Sequence, residues 1–208
     1  MKHEYKKAEK EFYAPKPNKP ELVKVPEFKF FMISGKGNPN SPEFGEYIGV
    51  LYALSYGIRM SHKVDNPPKG YYEYTVYPLE GVWDVSEQAK KNPSAKLNKD
   101  ELVYTIMIRQ PDFVDEAYAK MIIEQTKAKK PNPLLDEVRF ETMQEGECIQ
   151  MMHIGAYDDE PASFAKMEEF CESIGRERES KVHREIYLSD FIKTAPEKLK
   201  TILRFKLK

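Results

Sequence analysis

Only two cysteines occur among the 208 residues, Cys148 and Cys171, with neither CxxC spacing nor histidines clustered beside them. Their scarcity argues against a disulfide framework and against a thiolate metal site, and fits two reduced thiols in a cytoplasmic protein that uses no metal or other cofactor. Net charge is equally scarce: 33 Lys and Arg balance 34 Asp and Glu, leaving −1 at neutral pH. A nucleic-acid binder carries a basic face, so no nucleic-acid partner is expected. No run of eighteen apolar residues is present, which rules out a membrane-spanning helix as a partner for lipid. The opening MKHEYKKAEKEFYAPKPNKPE has no apolar stretch of the secretory kind. Ser-His-Asp, Walker and Rossmann patterns are missing too.

What the chain does have is aromatic mass. Thirteen tyrosines, eleven phenylalanines and one tryptophan make up 12% of it, with nine methionines beside them. A buried tyrosine must find a partner for its hydroxyl, so this richness suits packing and interfaces or, more sharply, a flat tyrosine-lined pocket.

Residues 1–26, with Pro15, Pro17, Pro20 and Pro26 among lysines and glutamates, read as a charged helical or frayed segment followed by an extended arm. FKFFMISGKG (28–37) reads as a strand ending in a glycine turn. Ser41 followed by Pro42 is a helix entry, and the helix carries Phe44, Ile48, Leu51 and Ser55 on one stripe. YYEYTVY (71–77) alternates as a strand, Leu79-Glu80-Gly81 reads as a turn, and ELVYTIMIRQP (101–111) as another strand. Val114 to Lys129 is amphipathic. The plan then recurs: one or two strands within 137–159, a helix opening at Glu160-Pro161 and stopped by Gly175, then VHREIYLSD (182–190) and ILRFKLK (202–208) as closing strands. Strand, helix, strand, strand thus appears twice, about 100 residues apart, without evident likeness between the two sequences. The expected division is an arm over 1–26 and a domain over 27–208, built of modules over about 27–130 and 131–208.

In HREIYLSD the strand period puts Ile186 and Leu188 on one face, Glu185 and Tyr187 on the other. On spacing alone that face meets water and Glu185 is an ordinary solvated carboxylate. His153 reads as a satisfied strand histidine; His3, His62 and His183 show no partner spacing.

Three segments together carry a resemblance. HIGAYDDEPASFAKMEEF resembles the h-x-G-x-Y strand end and following helix of GyrI-like small-molecule-binding domains. EIYLSD resembles that family's closing strand, and VPEFKFFMISGKGN with a helix entered at SPEF resembles its first strand and turn. The resemblance covers about residues 22–208. It implies an α+β fold of tandem β-α-β-β (SHS2-type) modules with pseudo-twofold symmetry, and an aromatic cleft with a glutamate at its base. Members serve as effector domains of multidrug-sensing regulators, as gyrase inhibitors or as free-standing binders. One free-standing subfamily hydrolyses cyclopropanoid DNA-alkylating compounds. The chain resembles that subfamily most in its length, its proline-rich arm and its lone tryptophan in GVWDV. Only 27 residues precede the first strand, too few for the helix-turn-helix of the regulators, so DNA binding is not expected.

The resemblance reverses the reading of Glu185, which now faces a ligand as a general base, with the Tyr157 hydroxyl as its catalytic companion. Trp83 and Tyr187 would stack on a planar hydrophobic small molecule. Tyr71 and Met107 follow as substrate-binding residues by strand alternation, and His153 by nearness. A non-catalytic, sequestering pocket suits the same residues. A protein-protein inhibitor is the more distant alternative. Oligomeric state is not legible.

Overall fold

The computed structural model describes residues 2–64, 67–91 and 98–208. It is a mixed helix and sheet structure with two compact units, the first formed by residues 1–4, 28–79 and 83–143, the second by 5–27, 80–82 and 144–208.

In the first unit, strand β1 (Glu21–Lys36) runs from Phe28 onward antiparallel to β3 (Leu102–Gln110), Lys29 facing Gln110 and Lys36 facing Val103. Phe30, Phe31, Met32 and Ile33 are buried in succession, so both faces of β1 are covered there. Helix α3 (Pro42–Arg59) begins as its sequence indicates. Ser41 is extended at the cap and Pro42 sits in the first turn, although the serine hydroxyl makes no bond to the helix backbone. Its buried stripe is Phe44, Val50, Leu51, Leu54, Ser55 and Ile58; Ile48 is only half-buried. Ser55 donates to Leu51 O and accepts from Gln110 Nε2, a bond of 2.9 Å that pins α3 to β3. Helix α5 (Glu116–Lys129) packs beside α3 so closely that a Cβ on Gly57 would lie 3.3 Å from Ile122.

Two local expectations fail here. Residues 71–77 form no strand; Tyr74 makes only an isolated bridge to His3, closed by His3 N–Glu73 O (2.7 Å) and Thr75 N–His3 O (2.9 Å). The alternation that assigned Tyr71 to a cleft therefore has no sheet to act on. Leu79-Glu80-Gly81 is not a turn but the start of strand β2 (Leu79–Val85), which follows β3 in the order β1-β3-β2. A short helix, α4 (Glu87–Lys91), follows it.

The second unit begins with two single-turn helices, α1 (Tyr5–Ala8) and α2 (Lys10–Tyr13). They are not frayed: Tyr5, Phe12 and Tyr13 are buried, and the rings of Tyr5 and Tyr13 meet edge to face at 5.0 Å. The sheet of this unit sets β6 (Lys200–Lys206) between β4 (Arg139–Ile154) and β5 (His183–Tyr187). β4 is one strand of 16 residues rather than two. β6 pairs antiparallel with both neighbours, which fixes rows across the sheet: Met151–Leu203–Glu185 in one, Gln150–Arg204–Arg184 in the next. Alternate rows point to opposite faces.

Helix α6 (Glu160–Ser173) covers the first of these faces, through a core of Ile149, Met151, Met167, Cys171, Leu203 and Phe205. Gly175, at φ +68°, ends α6 with bonds from its own N–H to Glu172 O and from Arg176 N–H to Cys171 O, a Schellman closure. Cys148 and Cys171 are buried free thiols, and desolvation pushes Cys148 up to about 12. Among the described residues, no helix is long and apolar enough to cross a membrane.

Candidate functional site

The alternation of β5 places His183, Glu185 and Tyr187 on the face that α6 covers. Glu185, 9% exposed, accepts from the Tyr187 hydroxyl at 2.8 Å and meets His183 Nε2 at 3.1 Å through its other oxygen. The other ring nitrogen of His183, Nδ1, lies 3.2 Å from Lys181 O, and the ring stands edge-on to Phe164 of α6 at 4.8 Å. Tyr157 lies in the 3-10 turn Tyr157–Asp159 that leads into α6, its ring perpendicular to that of Tyr187 at 5.9 Å.

The first residue of α6 completes the group. Glu160 is 6% exposed, its Oε1 has no hydrogen-bond partner, and its side chain is hydrogen-bonded to Glu185. Burial, the Glu185 charge, that hydrogen bond and Asp158 raise its carboxyl to about 10. A helix N-terminus favours an anion by only about 0.3–1 kcal/mol. Burying a charge without a cation costs several kcal/mol, so the desolvation effect wins and Glu160 keeps its proton at neutral pH. Burial, with Glu185 and Glu160 adding to it, also pushes the Tyr157 hydroxyl up to about 12, which leaves it a neutral donor over the physiological range.

His153 sits on β4 under this group, 4% exposed, with Nδ1 2.8 Å from Ser163 Oγ and Nε2 3.0 Å from Ala156 O. Both ring nitrogens are thus engaged within the protein.

The opposite face of the same strands is ionic. Arg184 Nη1 donates to Glu80 Oε2 at 2.6 Å, and its Nε lies 2.9 Å from Glu145 Oε1 without hydrogen-bond alignment. Arg204 donates to Glu145 Oε2, Gln150 Oε1 and Phe12 O, and Gln150 Nε2 donates to Glu11 O and Glu21 Oε1. The N-terminal segment is thereby fastened to this face.

The remaining residues singled out in the sequence lie in the first unit. Trp83, 6% exposed, meets Tyr104 at 5.1 Å and Phe44 at 5.9 Å, while Phe44 and Tyr104 meet edge to face. A Cβ on Gly35 would come within 2.6 Å of the Tyr104 ring, so glycine opposite Tyr104 is what lets that ring lie flat across β1. Met107 is fully buried. Tyr71 belongs to a different cluster: its hydroxyl donates to Arg59 O at 2.7 Å and lies 3.0 Å from His62 Nδ1, and its ring stacks on His62 and touches Phe113.

Glu160 is the residue that sequence reasoning missed; it read only as the acid that opens a helix. His183 was also missed, although its place two residues before Glu185 on a strand was signal enough.

Each unit also has a concavity of its own. One, of about 220 Å³ in the first unit, runs between α3 and α5 past Gly57, Ser61, Tyr118 and Ile122. The other, of about 300 Å³ in the second, is walled by Glu168, Arg178 and Lys181, which already pair with one another. Neither is lined by Glu160 or Glu185.

The structure is a mixed helix and sheet protein in which two buried carboxyl groups, Glu160 and Glu185, adjoin Tyr157 and Tyr187. The chain belongs to the family of GyrI-like small molecule binding domains, whose model matches residues 18–208. It is similar to a hydrolase encoded by lin2189 from Listeria innocua, at 40% identity over 100% of both chains with a TM-score of 0.90. A second structure of a hydrolase from Listeria innocua matches at 39% identity over 100% of both chains, with a TM-score of 0.88. The C-terminal domain of EcmrR shares the fold at 11% identity, covering 91% of this chain and 97% of its own, with a TM-score of 0.55. No curated protein matches.

Proposed function

We propose that the Glu160–Glu185 pair adds water to flat, lipophilic electrophiles, and that cyclopropanoid DNA-alkylating compounds are the substrate class. The observation that carries this reading is two buried glutamates, Glu160 and Glu185, beside Tyr157 and the Tyr187 hydroxyl, with burial and the Glu185 charge raising the proton affinity of Glu160. Glu185 takes a proton from water, whose oxygen bonds to the strained ring carbon. The cyclopropane C–C bond breaks, and its electron pair passes through the conjugated dienone to the carbonyl oxygen. That oxygen, now a phenolate, receives a hydrogen bond and then a proton, with Tyr157 or Glu160 as donor. The proton held by Glu185 then returns to that donor, so atoms balance as the addition of one water and no redox partner is needed. Ring strain lowers the barrier, so positioning and one base carry the rest. The hydrolase names of the two Listeria relatives support this reading, and the repeated order β1-α3-β2-β3 and β4-α6-β5-β6 supports tandem modules related by pseudo-twofold symmetry.

The family description, small molecule binding, favours a second reading in which the same side chains sequester such compounds unchanged. Incubation with a cyclopropanoid alkylator, followed by mass spectrometry of the small molecule, separates the two. Hydrolysis yields the compound plus one water. Glu185→Gln is expected to lower that turnover by about 10²-fold while leaving the fold intact. Recovery of unaltered compound from the wild-type protein would leave only sequestration.

A further inference from the structure

We propose that His153 is a positioning residue for the carboxyl pair: one imidazole ties the turn carrying Tyr157 to the helix carrying Glu160. This rests on the hydrolytic reading for its consequence in turnover, but not for its structural content.

Ala156 O can only accept, so Nε2 of His153 carries the hydrogen in the 3.0 Å bond between them. Nδ1 is then the acceptor for the Ser163 hydroxyl at 2.8 Å. Ala156 immediately precedes Tyr157, and Ser163 stands one helical turn after Glu160 on the same face of α6. The backbone between strand and turn closes directly over the ring. Gly155 adopts φ +146°, and a Cβ there would meet His153 Nε2 at 3.2 Å and Cε1 at 3.3 Å. Gly155 N–H is held by Leu199 O of the segment entering β6, at 3.1 Å. A buried polar ring with both nitrogens bonded has one well-defined orientation, so it transmits the position of β4 to both partners. The groups that face Glu160 and set its proton affinity are Glu185 from β5 and Asp158 from the turn, with Tyr157 beside them. Loosening α6 at Ser163 would admit water to Glu160 and draw it away from Glu185, both of which release its proton more readily.

The test reads Glu160 directly. Protein labelled with ¹³C-glutamate is titrated by NMR, and the Glu160 carboxyl signal is identified by its disappearance in Glu160→Gln. His153→Leu removes both bonds and Ser163→Ala removes one. Both variants are expected to lower the Glu160 midpoint by at least about one pH unit. The double variant is expected to shift it no further than His153→Leu alone, since both act through one contact. In turnover of a cyclopropanoid alkylator, the same variants should lower kcat with KM little changed, because the reacting groups move rather than the binding surface. An unchanged Glu160 midpoint in folded His153→Leu overturns the proposal. If that variant fails to fold, Ser163→Ala decides by the same criterion. A wild-type protein that consumes no alkylator, yet shows the midpoint shift in the variants, would remove the hydrolytic reading and leave the positioning role standing.

Discussion

The two faces of one small sheet, β4-β6-β5, bury glutamates in opposite ways. On one face Glu145 lies between Arg184 and Arg204; on the other Glu160 lies against Glu185. Both are nearly inaccessible, the side chain of Glu145 at 8% and the residue Glu160 at 6%. Desolvation is the largest effect on each and pushes each carboxyl up. For Glu145 the two guanidinium groups outweigh it and hold the carboxyl below the usual range. For Glu160 the neighbour is another carboxylate, which adds to the desolvation instead of opposing it. Burial alone therefore does not say what a glutamate is for. The sign of its neighbour sets its charge: arginines hold Glu145 ionised, and a second acid helps to hold Glu160 protonated.

The largest expected effect comes from erasing the charge on the scaffold side. Glu145→Gln leaves Arg184 and Arg204 without their shared anion and should destabilise the protein by about 3–5 kcal/mol in urea unfolding at pH 7. The linkage has a definite sign. A folded pKa below the unfolded one contributes stability above the ordinary carboxylate range that is lost as pH falls through and below it. The wild-type advantage over Glu145→Gln should shrink accordingly in acid. A near-neutral Glu145→Gln at pH 7 would mean that Arg184 and Arg204 are held adequately by Glu80, Gln150 and Phe12 O, and the contrast between the faces would weaken.

On the acid side, Tyr157→Phe removes a donor that keeps its proton up to about 12. Turnover of a cyclopropanoid alkylator should fall by about 10²-fold, the scale for losing one donor to a developing oxyanion, with little change in folding stability. Equal turnover in Tyr157→Phe would assign the donor role to Glu160 alone.

The smallest effect is the sharpest comparison, because it makes the same substitution on the other face. Glu160→Gln should leave stability almost unchanged at acidic pH, where the wild-type carboxyl is protonated folded or unfolded. As pH rises from the ordinary carboxylate range toward about 10, the unfolded wild-type chain releases this proton while the folded one holds it. Wild-type stability therefore falls across that window and the variant escapes the loss, appearing more stable by about 1–3 kcal/mol at pH 8–9. Parallel pH–stability curves for the two proteins would contradict the raised proton affinity of Glu160.

Several elements were legible in the sequence for local reasons. The Ser41-Pro42 entry to α3, the Glu160-Pro161 opening of α6 and its stop at Gly175 depend on cap and backbone preferences within a few residues, and the structure has them. The pairing of Glu185 with Tyr187 follows from the period of two in β5, which also brings His183 onto their face. Where tertiary contacts decided, local reading failed. The tyrosine alternation at 71–77 is strand-like, yet those residues have only His3 to bridge to. Gly81 suggested a turn because glycine weakens a strand, but β2 runs straight through it from Leu79 to Val85. The N-terminal segment read as either helical or frayed; it is helical at Tyr5–Ala8 and Lys10–Tyr13, where Tyr5, Phe12 and Tyr13 are buried and Arg204 binds the Phe12 carbonyl.

By itself, then, the sequence determined where α3 and α6 begin, where α6 stops and which strand face Glu185 shares with Tyr187, since each is set by neighbours a few residues apart. Only the tertiary structure decided which charges meet. Glu160 stands 25 positions before Glu185, Glu145 stands 39 before Arg184, and Glu80 stands 104 before it. A carboxylate's proton affinity depends on desolvation and on charges within a few ångströms, and neither distance nor dielectric is written along the chain.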